Sequence, residues 1–76
     1  MVQAYILVQT EVGKAAQVAE RIGALEGVTN SEDVTGPYDV IVRAEAETMD
    51  HLGKLVFRVQ TIEGITRTLT CPVVRI

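Results

Sequence analysis

Apolar residues along this chain switch between strict alternation and helical spacing, and each switch marks an element. Residues 2–9 (VQAYILVQ) are rich in β-branched and aromatic types and predict a strand. Residues 13–25 carry Ala15, Val18, Ala19, Ile22 and Leu25 at helical spacing, and Gly27 follows where a left-handed residue closes a helix. A polar strand is expected over 28–35, a turn at Gly36-Pro37, and a third strand over 39–46 (DVIVRAEA). Thr48 is placed to cap a helix over 49–62, with Met49, Leu52, Leu55, Val56, Val59 and Ile62 on one face. Gly64 closes that helix, and 65–75 form the last strand.

A repeat at a spacing of 37 residues organises these elements. Leu25-Glu26-Gly27-Val28-Thr29 recurs as Ile62-Glu63-Gly64-Ile65-Thr66, and the same offset aligns Val18 with Leu55, Arg21 with Arg58 and Ile22 with Val59. Two copies of a strand–helix–strand unit fit this pattern, which is the split βαβ arrangement. The expected architecture is therefore α+β and ferredoxin-like, βαββαβ, as a single domain over residues 1–76. Strands 1 and 3 are the near-continuous apolar runs and should be central. The last strand contains Pro72, which lacks an N–H and belongs at an edge. These constraints give an antiparallel sheet of order 4-1-3-2 with both helices on one face.

The other face of that sheet has no helix to cover it. Alternation puts Val2, Ala4, Ile6, Val8, Val40, Val42, Ala44 and Ala46 beneath the helices. Tyr5, Leu7 and Ile41 fall on the open side, joined by Thr66, Thr68, Thr70 and Val74 in the simplest register of the last strand. Large apolar residues mixed with Gln3, Gln9 and Arg43 make an apolar patch with a polar rim, as a subunit interface requires. The sequence thus predicts a dimer formed sheet to sheet, with Tyr5, Leu7, Ile41, Thr66 and Val74 in the contact.

Composition points the same way. The chain has 76 residues, is 47% hydrophobic and only 4% aromatic, so its core must be built from Val, Ile, Leu and Ala. Chains this short often need a staple. Cys71 is the sole cysteine and His51 the sole histidine, which removes an internal disulfide and a zinc site and leaves self-association. Net charge is −3 and the basic residues are scattered, so no patch for phosphate neutralisation, and no direct nucleic-acid binding, is expected. No apolar run reaches the length of a membrane span, and the N-terminus lacks the basic region of a signal peptide; a cytoplasmic location is expected.

The densest cluster of special residues is Thr35-Gly36-Pro37-Tyr38-Asp39. Turn chemistry accounts for Gly36 and Pro37. It accounts less well for Asp39, a carboxylate at the start of a central strand. Exposed amides beside one carboxylate are able to hold a small zwitterion, its ammonium toward Asp39. His51, Cys71, Glu45 and Glu47 have no partners in the sequence that would make them catalytic or metal-binding.

With AYILVQTEVG, LEGV, VTGPYDVIV, IEGI and TRTLTCPVV in place, the sequence resembles the effector-binding (RAM) domain of the Lrp/AsnC transcription regulators along essentially its whole length. The resemblance implies sheet-to-sheet dimers that assemble further into octamers or similar rings. It also implies a small effector, an amino acid, bound between dimers, with no cofactor. By similarity the pocket would draw on Gly36, Tyr38 and Asp39 of the loop, on Thr68 and Thr70, and on Glu32 of a neighbouring subunit. Full-length members carry an N-terminal helix-turn-helix domain, whereas this sequence opens at the first strand. It reads as a stand-alone member that senses an amino acid or modulates full-length regulators.

Two other readings compete. Dimeric α+β barrel enzymes share the fold but need a cavity furnished with His, Asn, Trp or Arg, and here the helix-facing residues are Val, Ala, Ile and Leu. ACT-like regulatory subunits share fold and ligand class but pair strands edge to edge.

Overall fold

The computed structural model describes residues 1–74. The elements follow in the order β1 (Val2–Thr10), α1 (Ala15–Gly23), β2 (Val28–Asp33), β3 (Val40–Ala46), α2 (Met49–Gln60) and β4 (Ile65–Pro72). The strands form one antiparallel sheet ordered β2-β3-β1-β4, which is the expected 4-1-3-2 read from the other edge. The architecture is ferredoxin-like.

One periodicity builds the core. Even-numbered residues of β1 and β3 (Ala4, Ile6, Val8, Val40, Val42, Ala44) are wholly buried, and Val18, Ile22, Leu55 and Val59 meet them from the helices. Seven Ile and Val side chains are sealed from solvent without any aromatic ring among them. The space between sheet and helices is filled by aliphatic groups.

Both helices end earlier than their apolar spacing suggests. Leu25 and Ile62 still pack on the core, but each belongs to a turn beyond the helix. The two turns are copies of one another. Ala24 N–H donates to Arg21 O (3.3 Å), Leu25 to Ile22 (3.0 Å) and Val28 to Leu25 (3.2 Å); 37 residues on, Thr61 donates to Arg58 (3.2 Å), Ile62 to Val59 (3.1 Å) and Ile65 to Ile62 (3.4 Å). Gly27 and Gly64 complete these turns at φ +96° and +100°. A Cβ on Gly64 would also stand 3.2 Å from Val18 Cγ2 and 3.3 Å from Lys14 Cβ. Thr48 caps α2 as expected, its hydroxyl accepting from His51 N–H at 3.1 Å.

The last strand departs from expectation. Opposite β1, Leu69 pairs with Leu7 and Cys71 with Tyr5, while Thr68 pairs with Val8 and Thr70 with Ile6. Directly paired residues share a face, so Thr68 and Thr70 lie on the helix side and not on the open side. A register shift between Gln9 and Thr10 causes this, with Gln9 opposite Arg67 and Thr10 opposite Ile65. Thr66 is the residue passed over at that irregularity, and it is exposed. Val74 lies beyond the end of β4 and is 80% exposed; Val73 occupies the open-face position instead, its N–H donating to Gln3 O at 2.8 Å. β4 ends at Pro72, short of the expected 75; Arg75 lies outside the described residues.

Candidate functional site

Two regions of the surface carry the residues singled out in the sequence, one at an end of the sheet and one on its helix side. The first is the loop from β2 to β3. Its closing residue is tied down three times: Asp39 N–H donates to Val8 O (2.9 Å), Val34 N–H donates to Asp39 O (2.8 Å), and Thr10 N–H donates to Asp39 Oδ2 (2.8 Å). The carboxylate therefore does structural work, fastening the loop to the end of β1. Its second oxygen remains beyond that contact. Gln9 supports the loop from below, its Nε2 donating to Pro37 O at 3.2 Å. Sequence reading placed Gln9 on the rim of the open face but not against this loop. Tyr38 and Asp39 are half-buried, while Gly36 is exposed at φ +153° with nothing within 4 Å of where a Cβ would be. A ligand can thus approach the Gly36 backbone closely from outside.

The second region holds Thr68 and Thr70, half-buried between β4 and α2. Gln60 Nε2 donates to Thr68 Oγ1 at 3.0 Å, which orients that hydroxyl. Thr70 lines a shallow, open groove of about 430 Å³ with Met49, Leu52, Gly53, Val56, Phe57, Gln60 and Pro72. Within one chain β1 lies between the loop group, at the start of β3, and the threonines of β4. Glu32 belongs with neither: it is exposed on β2, paired in register with Ile41, and accepts from Asn30 Nδ2 at 2.9 Å.

The open face is layered in rows across the strands. Glu32, Ile41, Leu7 and Leu69 form one row; Asn30, Arg43, Tyr5 and Cys71 form the next. The first is an apolar strip, with Ile41 and Leu69 each 38% exposed. In the second, the Arg43 guanidinium lies 5.0 Å from the Tyr5 ring centroid, hydrogen-bonds the Tyr5 hydroxyl, and donates to Gln3 Oε1 at 2.9 Å. Gln3 Nε2 in turn donates to Glu45 Oε1 at 3.1 Å. Polar groups on this face are thus largely satisfied within the chain, which lowers the cost of covering it. Leu69, Cys71 and Val73 were missed by the sequence reading because β4 was placed one residue out of register.

Among the described residues no group of His, Cys, Asp and Glu is arranged to hold a metal, and no helix is long and apolar enough to cross a membrane.

Comparison with known proteins adds to this geometry. The Lrp/AsnC ligand binding domain matches residues 3–76. Among curated proteins, the HTH-type transcriptional regulator FL11 of Pyrococcus furiosus is 27% identical over 73 residues, 96% of this chain and 48% of the regulator. Homocitrate synthase of Sulfurisphaera tokodaii is 28% identical over 58 residues, 76% of this chain but 13% of the enzyme. The chain therefore spans about half the length of the regulator and a small part of the synthase. Among solved structures, the hypothetical protein PHS023 of Pyrococcus horikoshii superimposes with a TM-score of 0.91 at 32% identity, covering 99% of this chain and 92% of that one. The transcriptional regulator NMB0573 of Neisseria meningitidis, solved as its L-Met complex, shares the fold with a TM-score of 0.82 at 19% identity, covering 97% of this chain and 50% of that one.

Proposed function

The chain belongs to the Lrp/AsnC ligand binding domain family, and from that premise we propose that it is an amino-acid sensor whose effector is held between chains. It is a regulatory domain and not an enzyme. The observation that carries the proposal is the placement of the site residues. Gly36, Tyr38 and Asp39 sit at one end of the sheet and Thr68 and Thr70 on its helix side. In this reading the pocket takes its loop from one chain and its threonines from another, with Glu32 supplied by a neighbour.

In this reading two chains first pack their open sheets together through Tyr5, Leu7, Ile41 and Leu69. Such dimers then assemble into an octamer or similar ring, which brings loops and threonines into register. Asp39 faces the effector's ammonium, and the exposed amides at Gly36 take its carboxylate. Occupancy of the pocket favours the closed assembly by mass action, and full-length regulators of the same family would read that change in the cytoplasm. The L-Met complex of NMB0573, a protein of the same fold, supports an amino acid as the effector class.

Calorimetric titration of the oligomer with each proteinogenic amino acid tests the proposal. One or a few should release heat and shift the sedimentation profile. An absence of heat from every one rejects the sensor.

A further inference from the structure

The two halves of the repeat treat one hydroxyl in opposite ways. At the offset of 37 residues, Ser31 on β2 corresponds to Thr68 on β4 and Ala19 to Val56. Gly23, the last residue of α1, corresponds to Gln60, the last of α2. The match is structural as well. Both edge strands pass over one residue in their pairing, Thr29 in β2 and Thr66 in β4, so that Ser31 lies opposite Val42 and Thr68 opposite Val8. Val42 and Val8 are core residues beneath the helices, so both hydroxyl-bearing residues face their helix, and both are half-buried.

From there they diverge. Ser31 Oγ donates to Ala19 O at 2.8 Å, so its single proton is engaged by the helix backbone. Thr68 does the reverse. Its Oγ1 accepts from Gln60 Nε2 at 3.0 Å, and among the described residues no group takes the Thr68 proton. Glycine at position 23 offers Ser31 no such donor. Crowding does not impose the difference, because a Cβ on Gly23 would stand 3.7 Å from Ser31 Cβ, an ordinary contact. Gln60 therefore turns Thr68 from a hydroxyl that caps its own helix into one with a proton to give elsewhere.

We propose that Gln60 is a positioning residue for the effector: by occupying a lone pair of Thr68 it directs that hydroxyl's proton to the effector's carboxylate. This rests on the reading of the chain as an amino-acid sensor and adds which end of the zwitterion the threonine recognises. An ammonium set against Thr68 would leave the hydroxyl proton covered and without an acceptor, which is unfavourable. A carboxylate supplies the acceptor, and the bond gains from its charge. With two oxygens to accept at, the carboxylate meets the Gly36 amides and Thr68 together, while Asp39 keeps the ammonium. Gln60 acts through Thr68 and need not touch the ligand.

Calorimetry on the whole chain tests this with the proteinogenic amino acid that wild-type protein binds most tightly, its primary amide and its 2-hydroxy acid analogue. Wild-type protein should prefer the amino acid to the amide. Thr68→Val removes the donor and should weaken binding of the amino acid by about 10-fold, with a much smaller effect on the amide. Gln60→Met keeps the length of the side chain without its donor and frees Thr68 to turn to its helix as Ser31 does. It should reproduce most of that loss, and adding it to Thr68→Val should cost no more. The preference for the amino acid over the hydroxy acid, which Asp39 supplies, should survive in every variant. A purely structural role for Gln60 would instead weaken all three ligands alike. With no ligand present, Thr68→Val should shift the Gln60 side-chain amide resonances. The proposal is overturned if those resonances do not move, or if Gln60→Met binds amino acid and amide in the wild-type ratio, and the sensor reading then stands. Failure of every amino acid to bind wild-type protein rejects that reading, and the role of Gln60 with it.

Discussion

Replacing Asp39 separates its structural duty from the proposed one, because alanine and asparagine remove different things. The carboxylate accepts the Thr10 N–H at 2.8 Å, and both residues are half-buried. A hydrogen bond to a charged acceptor contributes about 1.5–3 kcal/mol, and partial exposure puts this one at the low end. Asp39→Ala leaves the Thr10 N–H without its acceptor and should cost about 1.5 kcal/mol, or roughly 6–12 °C in Tm for a domain of this size. Asp39→Asn keeps an oxygen in nearly the same place and loses only the charge, so it should cost about 0.5 kcal/mol. Binding should respond differently. If the carboxylate faces the effector's ammonium, Asp39→Asn leaves that cation unmatched at a cost of about 2 kcal/mol or more, which is about 30-fold in Kd. The assay is thermal denaturation at fixed protein concentration, paired with calorimetry using the amino acid that gives wild-type protein the largest heat. An Asp39→Asn variant that folds normally and binds within about 3-fold of wild type would refute the ammonium contact. The loop-fastening role would then stand alone.

Further outcomes are expected elsewhere in the chain. Ile22→Ala empties a fully buried site and should lower stability by about 2–5 kcal/mol in urea unfolding. Thr48→Ala removes the hydroxyl that accepts the His51 N–H and should cost about 1 kcal/mol, with a Tm drop of about 4–8 °C. Gly64→Ala places a Cβ at positive φ and against Val18 and Lys14; a loss of about 2 kcal/mol is expected, and an unchanged Tm would contradict the crowding. The register of β4 has its own test. Leu69→Glu should dissociate the proposed sheet-to-sheet dimer in sedimentation, whereas Thr68→Lys, on the helix side, should leave it intact.

Most of the fold was legible in the sequence because one side of β1 and β3 is unbroken aliphatic and the helices alternate on the same theme. The repeat fixed which elements correspond, and Pro72 marked an edge. What escaped was the face of β4. Thr66, Thr68 and Thr70 alternate, but so do Leu69, Cys71 and Val73, and alternation alone does not say which set faces the helices. A single skipped residue near Ile65 exchanges the two sets. Helix ends escaped for a related reason. Leu25 and Ile62 continue the apolar spacing of their helices and are packed on the core, yet turns with left-handed glycines deliver them there. In the candidate site the sequence flagged Asp39 and the glycine loop. It could not show that Thr10 and Gln9 hold that loop in place, since both contacts span about 30 residues of chain.

The bond from Val73 N–H to the Gln3 carbonyl makes the polypeptide open to rewiring. It places the start of β1 beside the end of β4, so a short linker from Val73 to Val2 would close residues 2–73 into a circle without disturbing the sheet. Reopening that circle at Pro37 would give a permuted chain in which the second half of the repeat leads and the first follows. The aliphatic core would not register the difference. The loop from β2 to β3 would, because its two arms would become loose ends, and under the proposed function such a permutant should fold like its parent while failing to bind an amino acid.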